Sequence, residues 1–296
     1  MSYANILRLL QGALDNGGVL TGSSDGNFIT LDTQNDQLEF DGIDVLLGDN
    51  DLVVFGDDRD VIVQWEGSYL TAGDGGMWVG CPAKLDPTYD SVAVEFFEDF
   101  TRGFDATNVW AVTEDDAACT QVVQDAAGGT LLLTNTAVDD NAQQIAGRSE
   151  AFKLAAGKTL WFEARVKISD ATESDLIVGL VADGEDMTGV ADNRFADGIG
   201  FFKADGATAL QFGASKDGTD TGANTNVGTV TTGWHVIGFR VDGLTSATPY
   251  FDGVAGTPIS ATFCDDEALC PIAMVRNGAA AAKTLEVDYV KVVQLR

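Results

Sequence analysis

The sequence predicts an all-β protein whose last two-thirds form an antiparallel, two-sheet β-sandwich. Three observations support this fold class: about ten apolar-rich segments after residue 93, turn residues between them, and no helical periodicity beyond the N-terminal stretch. Hydrophobic residues make up 45 % of the chain, enough to fill a core, and a length of 296 residues fits about two domains.

The segments of the sandwich alternate apolar and polar residues, so every second side chain faces one layer. The last segment, residues 284–295, predicts Leu285, Val287, Tyr289 and Lys291 on one face and Glu286, Asp288 and Val290 on the other. The remaining predicted strands are residues 94–100, 129–135, 158–168, 175–181, 198–204, 209–215, 234–243, 248–254 and 271–277. Without helical segments between them, a parallel βαβ fold is excluded.

One short helix is predicted over residues 3–14, and Asn16, Gly17 and Gly18 end it. Its apolar face is formed by Ile6, Leu7, Leu9, Leu10 and Leu14. A helix this short is marginal in water and needs a surface to pack on. Two readings remain open: it packs on its own domain, or it anchors on a neighbouring subunit.

Residues 19–80 read as short strands separated by Gly, Asp and Asn. Strands this short gain stability by stacking on copies of themselves, which predicts a homo-oligomer, with a trimer favoured. Phe55 and Trp65 are the assembly candidates here. Residues 81–92 carry two of the five prolines and predict a linker. The predicted organisation is therefore 1–80 for anchoring and oligomerisation, 81–92 as linker, and 93–296 as sandwich.

The charge of the chain limits its partners. Its 17 basic and 46 acidic residues give a formal charge of −29, which repels phosphate and argues against nucleic acid and anionic membranes. No apolar stretch approaches the ~20 residues of a membrane span, and the first residues lack the features of a signal peptide. We expect a protein made in the cytoplasm whose partners are protein surfaces, glycans or cations.

Catalytic residues are not predicted. The single histidine, His235, stands at a strand start, and no nucleophile elbow, zinc or phosphate-loop motif occurs. Glu286 and Asp288 share a strand face two residues apart, but they lie in a predicted terminal strand and read as a solvated face. The sequence therefore leads to the expectation that the chain is not an enzyme.

Metal and sugar sites stay open at this point. The acidic loop of residues 183–197 offers oxygen ligands for calcium, although a chain this acidic has Asp-rich loops in any case. The candidate ligands are Asp183, Asp186, Asp192, Asn193 and Asp197. Aromatic side chains that serve either as core or as a sugar platform are Trp78, Trp110, Trp161 and Trp234.

The four cysteines are not spaced for zinc, since none forms a CxxC pair. Cys264 and Cys270 are close enough in sequence to close a small loop. In a reducing cytoplasm, free and buried thiols are the favoured alternative.

Residues 232–254 resemble a hairpin of laminin-G-like and concanavalin-A-like jelly rolls. Trp234 and His235 open the first strand, and Asp252 and Gly253 end the second. The resemblance extends over about 200 residues and implies that the first and last strands of the jelly roll lie side by side. Because this fold carries lectins, glycosidases and viral proteins, it implies no single function.

A shorter resemblance covers residues 51–70, which look like a segment of structural proteins of tailed viruses. The residues that carry it are Phe55, Gly56, Asp60, Val61, Trp65, Glu66 and Gly67. It implies a capsid decoration protein on the virion surface, bound to the major capsid protein through the N-terminal region with the jelly roll projecting outward. The alternative is a lectin-like fibre or receptor-binding protein of a virus head or tail.

Overall fold

The structure is a computed structural model that divides into two compact units, residues 1–51 and 52–296. The residues it describes are 19–21, 28–32, 37–41, 52–55, 61–66, 69–73, 76–82, 89–125, 128–182, 184–189, 195–220, 224–260 and 262–296. The predicted helix 3–14, with its five apolar residues, lies outside them. Within the described residues, no helix has the length and apolar character to span a membrane.

Two small antiparallel sheets precede the sandwich. The first belongs to the first unit and has the order β1-β2-β3, formed by β1 (Val19–Thr21), β2 (Phe28–Asp32) and β3 (Gln37–Asp41). The second has the order β4-β5-β6, formed by β4 (Leu52–Phe55), β5 (Val61–Glu66) and β6 (Tyr69–Gly73). These strands confirm the predicted short-stranded region. Phe55 and Trp65 lie on β4 and β5, and their role in assembly stays a prediction.

Two eight-stranded sheets form the sandwich, preceded by the short helix α1 (Tyr89–Val92) inside the predicted linker. Sheet A contains β7 (Ala93–Glu98), β9 (Thr120–Val123), β10 (Leu131–Thr134), β12 (Thr159–Ile168), β18 (His235–Asp242), β19 (Ser246–Phe251), β20 (Val254–Ala255) and β22 (Thr284–Leu295). Sheet B contains β8 (Trp110–Glu114), β11 (Ala142–Gly147), β13 (Ser174–Ala182), β14 (Gly198–Lys203), β15 (Ala209–Lys216), β16 (Thr219–Asp220), β17 (Thr225–Thr229) and β21 (Leu269–Asn277).

The order of the strands confirms the predicted sandwich. Sheet A runs β20-β19-β18-β12-β22-β10-β9, and sheet B runs β16-β15-β14-β13-β21-β11-β8. The first sandwich strand, β7, pairs antiparallel with the second half of the last strand, β22, while β10 pairs with its first half. The terminal strands therefore lie side by side, as expected.

A β-bulge corrects the predicted faces of β22. Its register against β12 shifts between Arg165 and Val166, so Asp288 is left out of the pairing. Beyond the bulge Val290 is buried in the core, while Tyr289 is only half-buried. The strict alternation expected for residues 284–295 is wrong after Val287, because the extra residue reverses which side chains face inward.

Aromatic rings from both sheets meet in the middle of the sandwich. Phe162 and Phe239 of sheet A stack with centroids 4.8 Å apart, and Phe239 lies 5.3 Å from Phe212 and 6.1 Å from Phe201 of sheet B. All four are fully buried, and each contributes roughly 1.5–3 kcal/mol through burial alone. This cluster holds the two layers together.

An amide network ties the sheets at one end. Asn135 directly follows β10 of sheet A, and its Nδ2 donates to Val275 O of sheet B at 3.1 Å and to Asn277 Oδ1 at 3.1 Å. Its Oδ1 accepts a hydrogen bond from Gln143 Nε2 at 2.9 Å. Because the buried amide is satisfied on both its donor and its acceptor side, the network fixes how the ends of the two sheets face each other.

All four cysteines are buried and none forms a disulfide, so the loop between Cys264 and Cys270 is not closed by one. Burial raises the pKa of the Cys81 and Cys264 thiols to about 12. Neutral thiols of this kind are poor nucleophiles at physiological pH.

Three glycines stand in register across the middle of sheet B. Gly179 pairs with Gly200, and Gly200 pairs with Gly213. A Cβ on Gly200 would lie 2.6 Å from Val178 O and 3.0 Å from the ring of Phe195, whereas a Cβ on Gly189 would meet no atom within 4 Å. A side chain at Gly200 thus requires the backbone to shift.

We predict that Gly200→Ala lowers the free energy of unfolding by about 1–3 kcal/mol, the usual penalty for overpacking. The matched control Gly189→Ala changes it by less than about 0.5 kcal/mol. Urea unfolding followed by circular dichroism measures both values. Equal stabilities of the two variants would contradict the close packing over sheet B.

Candidate functional site

A cavity of about 460 Å³ opens on the outer face of sheet B. We call it the Asp–Arg cavity, and its lining is formed by Asp115, Asp140, Thr188, Gly189, Asp205 and Arg276. Its volume lies in the range of small-molecule sites, about 300–1,000 Å³. Its lining comes from five separate stretches of the chain, so no local sequence motif marks it.

An ion pair forms the buried part of this cavity. The β21 residue Arg276 lies between Ala142 of β11 and Asp175 of β13 in the register of sheet B. Arg276 Nε and Asp175 Oδ2 are 2.6 Å apart, with side chains only 10 % and 2 % exposed. Because both charges are desolvated, the pair holds the guanidinium in one orientation.

The rim residues Asp115 and Asp205 are held in place by hydrogen bonds. Asp115 Oδ2 accepts the Ala142 N–H at 2.9 Å, and the Asp205 N–H donates to Asp175 Oδ1 at 2.5 Å. Asp140 adopts a left-handed backbone with φ of 60°. All three rim carboxylates are exposed, so they are free to accept hydrogen bonds from a ligand.

One wall of the cavity is a loop held by a glutamine. Gln144 Nε2 donates to Glu185 O at 2.8 Å, and Gln144 Oε1 accepts the Met187 N–H at 2.7 Å. Met187 is buried against the apolar outer face of sheet B. The two hydrogen bonds and this contact place Thr188 and Gly189 beside Arg276.

The calcium candidates use their oxygens within the chain. Asp186 Oδ1 accepts from Thr188 N–H at 3.0 Å and from its hydroxyl at 2.5 Å, and Asp197 Oδ1 accepts the Asp217 N–H at 2.8 Å. Asp183, Asp192 and Asn193 lie outside the described residues. In the described part of the chain, no group of three or more His, Cys, Asp or Glu side chains is arranged to hold a metal. Calcium binding stays a prediction.

Glu185 is the residue of this loop that sequence reasoning missed. Its carboxylate accepts the N–H groups of Ala196 and Asp197, and burial raises its pKa above the ordinary value. These hydrogen bonds join Glu185 to the two residues that directly precede β14. No sequence motif or residue spacing predicts a contact of this kind.

The outer face of sheet A carries a second set of polar contacts. Arg165 Nη1 lies 2.6 Å from Asp288 Oδ2, and Lys167 Nζ lies 2.8 Å from Glu286 Oε1. The acids predicted as a solvated face are therefore paired across β12 and β22. Arg165 also lies 4.6 Å above the ring of Trp234, so this face combines charge pairs with an aromatic surface.

Two residues of the hairpin resemblance, His235 and Asp252, contact each other beside a turn. His235 Nε2 accepts the Thr231 N–H at 3.0 Å, so the ring proton is on Nδ1, which donates to Asp252 Oδ2 at 2.8 Å. Asp252 Oδ1 accepts the Val236 N–H at 2.9 Å. With both ring nitrogens engaged, the histidine fixes the turn before β18.

The tryptophans divide between core and surface. Trp110 is buried in the core between the sheets, whereas Trp161 is buried in a smaller apolar cluster on the outer face of sheet A. Trp78 and Trp234 are half-buried on the outer face of sheet A, beside Lys291 and Arg165.

No family model and no curated protein matches this chain. Among solved structures, an endo-1,3-β-glucanase from Streptomyces sioyaensis is similar over 69 % of this chain and 96 % of that one, with 14 % identity and a TM-score of 0.49. A Bacillus licheniformis β-glucanase is similar over 67 % and 97 %, with 13 % identity and a TM-score of 0.47. A carbohydrate esterase from Shiga toxin-encoding bacteriophage phi24B is similar over 68 % and 96 %, with 20 % identity and a TM-score of 0.43.

The strand order itself shows an antiparallel two-sheet sandwich of the jelly-roll kind. At these identities the likeness concerns the fold alone, and no residue role is carried over from these proteins.

The expectation that the chain is not an enzyme is corrected by these comparisons. The similar structures include glucanases, an endo-acting O-glycanase and a carbohydrate esterase. The expectation rested on missing sequence motifs and on acids in a terminal strand. A site such as the Asp–Arg cavity is assembled from distant segments, so missing motifs do not license that exclusion.

We predict that Asp175→Asn lowers the free energy of unfolding by about 3–5 kcal/mol, because it removes the charge that faces the buried guanidinium of Arg276. The control Asp115→Asn changes an exposed rim carboxylate and leaves stability within about 0.5 kcal/mol. The double variant Asp175→Asn/Arg276→Met, which keeps an oxygen acceptor for the Asp205 N–H, recovers part of the loss. Chemical unfolding measures all three, and a stable Asp175→Asn variant would contradict the account of the buried pair.

Proposed function

We propose that this chain is a structural protein of a virus particle, most specifically a decoration protein on the capsid surface. Its N-terminal region attaches to the major capsid protein, and the jelly roll projects outward. The observation that carries the proposal is the segment 51–70, which resembles structural proteins of tailed viruses. Its strand β5 pairs with β4 on one side and with β6 on the other, in a sheet separate from both layers of the sandwich.

The small sheets support an attachment role. Each has three strands of three to six residues, and three-stranded sheets of this size gain stability from further packing. Among the described residues, β1, β3, β4 and β6 are the edge strands of these sheets, and an edge strand is a template for pairing with another chain. Copies of the same chain and the capsid lattice are the partners that this role requires.

The charge of the chain supports display on a particle. A formal charge of −29 on each copy makes decorated particles repel one another. Copies spread over a capsid surface carry this charge at a distance from each other, where salt screens their mutual repulsion.

We predict that the purified chain is an oligomer, with a trimer favoured, and that it co-sediments with capsids assembled from the major capsid protein of the same genome. Phe55→Ser in the attachment region reduces co-sedimentation at least tenfold. Phe97→Ser, at an exposed position of the sandwich, leaves it unchanged. Light scattering measures the oligomeric state, and sedimentation measures binding to capsids. A monomer that does not co-sediment with capsids would rule out the proposal.

A second candidate function is saccharide binding at the Asp–Arg cavity, which suits a lectin-like protein of a virus head or tail. The specific observation is the chemistry of the lining: exposed carboxylates accept hydrogen bonds from hydroxyl groups, and a buried guanidinium lies beside them. Three rim carboxylates against one neutralised pair give the cavity a negative charge. Neutral polyhydroxyl ligands fit this better than anionic sugars.

We predict that the chain binds a neutral oligosaccharide on a glycan array and that Asp140→Asn weakens this binding about tenfold. Asparagine tolerates the left-handed backbone of this position, so the fold is kept. Asp139→Asn, at the exposed neighbouring residue outside the cavity lining, keeps full binding. Repeating the titration in EDTA tests the calcium prediction. An array without hits, or unchanged binding by Asp140→Asn, would contradict this function.

A further inference from the structure

A second cavity, of about 110 Å³, lies on the outer face of sheet A. Met77, Trp78 and Tyr250 form aromatic and thioether walls, and the carboxylate side chain of Glu163 adds the charge. At the ~30 Å³ that one water takes in the liquid, the volume has room for about four non-hydrogen atoms. The site is thus suited to one small group, and neither proposed function uses it.

A glycine belongs to the cavity lining, and Met77 packs directly over it. Gly238 of β18 stands in register between Glu163 of β12 and Tyr250 of β19. A Cβ on Gly238 would lie 2.5 Å from Met77 Sδ and 2.7 Å from Phe162 O. The missing side chain lets the segment around Met77 approach the sheet and form a wall over it.

The carboxylate of Glu163 accepts hydrogen bonds from two neutral donors. Tyr289 O–H donates to Oε1 at 2.7 Å, and Trp78 Nε1–H donates to Oε2 at 3.0 Å. Within the described ranges, no basic group forms an ion pair with Glu163 within 4.0 Å. The carboxylate is half-buried, is oriented by these two donors and belongs to the cavity lining, with Lys291 opposite Glu163 in the strand register.

The indole of Trp78 already attracts an ammonium group. Lys291 Nζ lies 4.4 Å from its ring centroid, although Lys291 stands opposite Glu163 in the register. At this distance the ring quadrupole of Trp78 attracts the ammonium of Lys291. The cavity provides the same chemistry to a ligand, with Tyr250 and Glu163 added.

We propose that this cavity binds the methylated ammonium head of a small ligand, with Trp78 and Tyr250 around the methyl groups and Glu163 supplying the opposite charge. A trimethylammonium head has four non-hydrogen atoms, which matches the volume. Its weak hydration makes desolvation by aromatic walls less costly than for a metal ion. The overall negative charge of the chain raises the local concentration of cations.

Replacing Lys291 and replacing Glu163 should change the affinity for a cation in opposite directions. Its ammonium competes for Trp78 and repels a bound cation, so Lys291→Met tightens binding of the ligand. Glu163→Gln keeps the shape and an oxygen acceptor but removes the charge, so it weakens binding. A purely structural role for these residues predicts no such opposite pair of effects.

The experiment is a calorimetric titration of the full chain with choline and with its uncharged carbon analogue 3,3-dimethyl-1-butanol. We expect choline to bind, the analogue to bind at least about tenfold more weakly, and added salt to reduce choline affinity. Glu163→Gln lowers choline affinity about tenfold, and Lys291→Met raises it by roughly threefold. Unfolding curves confirm that both variants are folded.

If Glu163→Gln disturbs the fold, a second variant, Tyr250→Leu, still tests the proposal. Tyr250→Leu removes one ring and leaves Glu163 with both donors, and it also weakens choline binding. Phosphatidylcholine vesicles and a trimethyllysine peptide distinguish a lipid head group or a protein side chain from a free metabolite as the source. Equal binding of choline and its analogue, or no gain with Lys291→Met, would overturn the proposal.

Discussion

The contact between the inward faces of the two sheets determines everything else in the sandwich. The rings of Phe162, Phe239, Phe201 and Phe212 fill its middle, and the amide of Asn135 bridges one end. Since neighbouring side chains on a strand point to opposite faces, fixing which residues enter the core also fixes which ones face outward. A shift of the strand register by one residue would bury charged side chains and remove the residues that line both cavities.

The face of the sheet on which a side chain lies decides which groups it contacts. On sheet B, Val275 enters the core, so its neighbour Arg276 faces outward and meets Asp175 across the strand pair. On sheet A, Phe162 enters the core and Glu163 faces outward between Gly238 and Lys291. The charged residue of each cavity is therefore placed by strand register, on the face opposite the core.

Strand positions and the pairing of the termini could be predicted because they depend on local alternation and turn residues. The faces of β22 could be predicted only up to Val287, because the bulge that reverses them is set by pairing with β12. The Asp–Arg cavity could not be predicted, since its lining comes from residues 115 to 276 in five segments. Trp78 was expected to serve as core or platform, but its bond to Glu163 joins residues 85 positions apart.

Hydrogen exchange of the backbone amides tests the central claim most directly. If the inward contacts unite the layers, amides of the central pairs β12–β22 in sheet A and β13–β21 in sheet B exchange with the same free energy, equal to that of global unfolding. If one sheet exchanges through a much smaller opening free energy than the other, the layers are separate units and the account is contradicted.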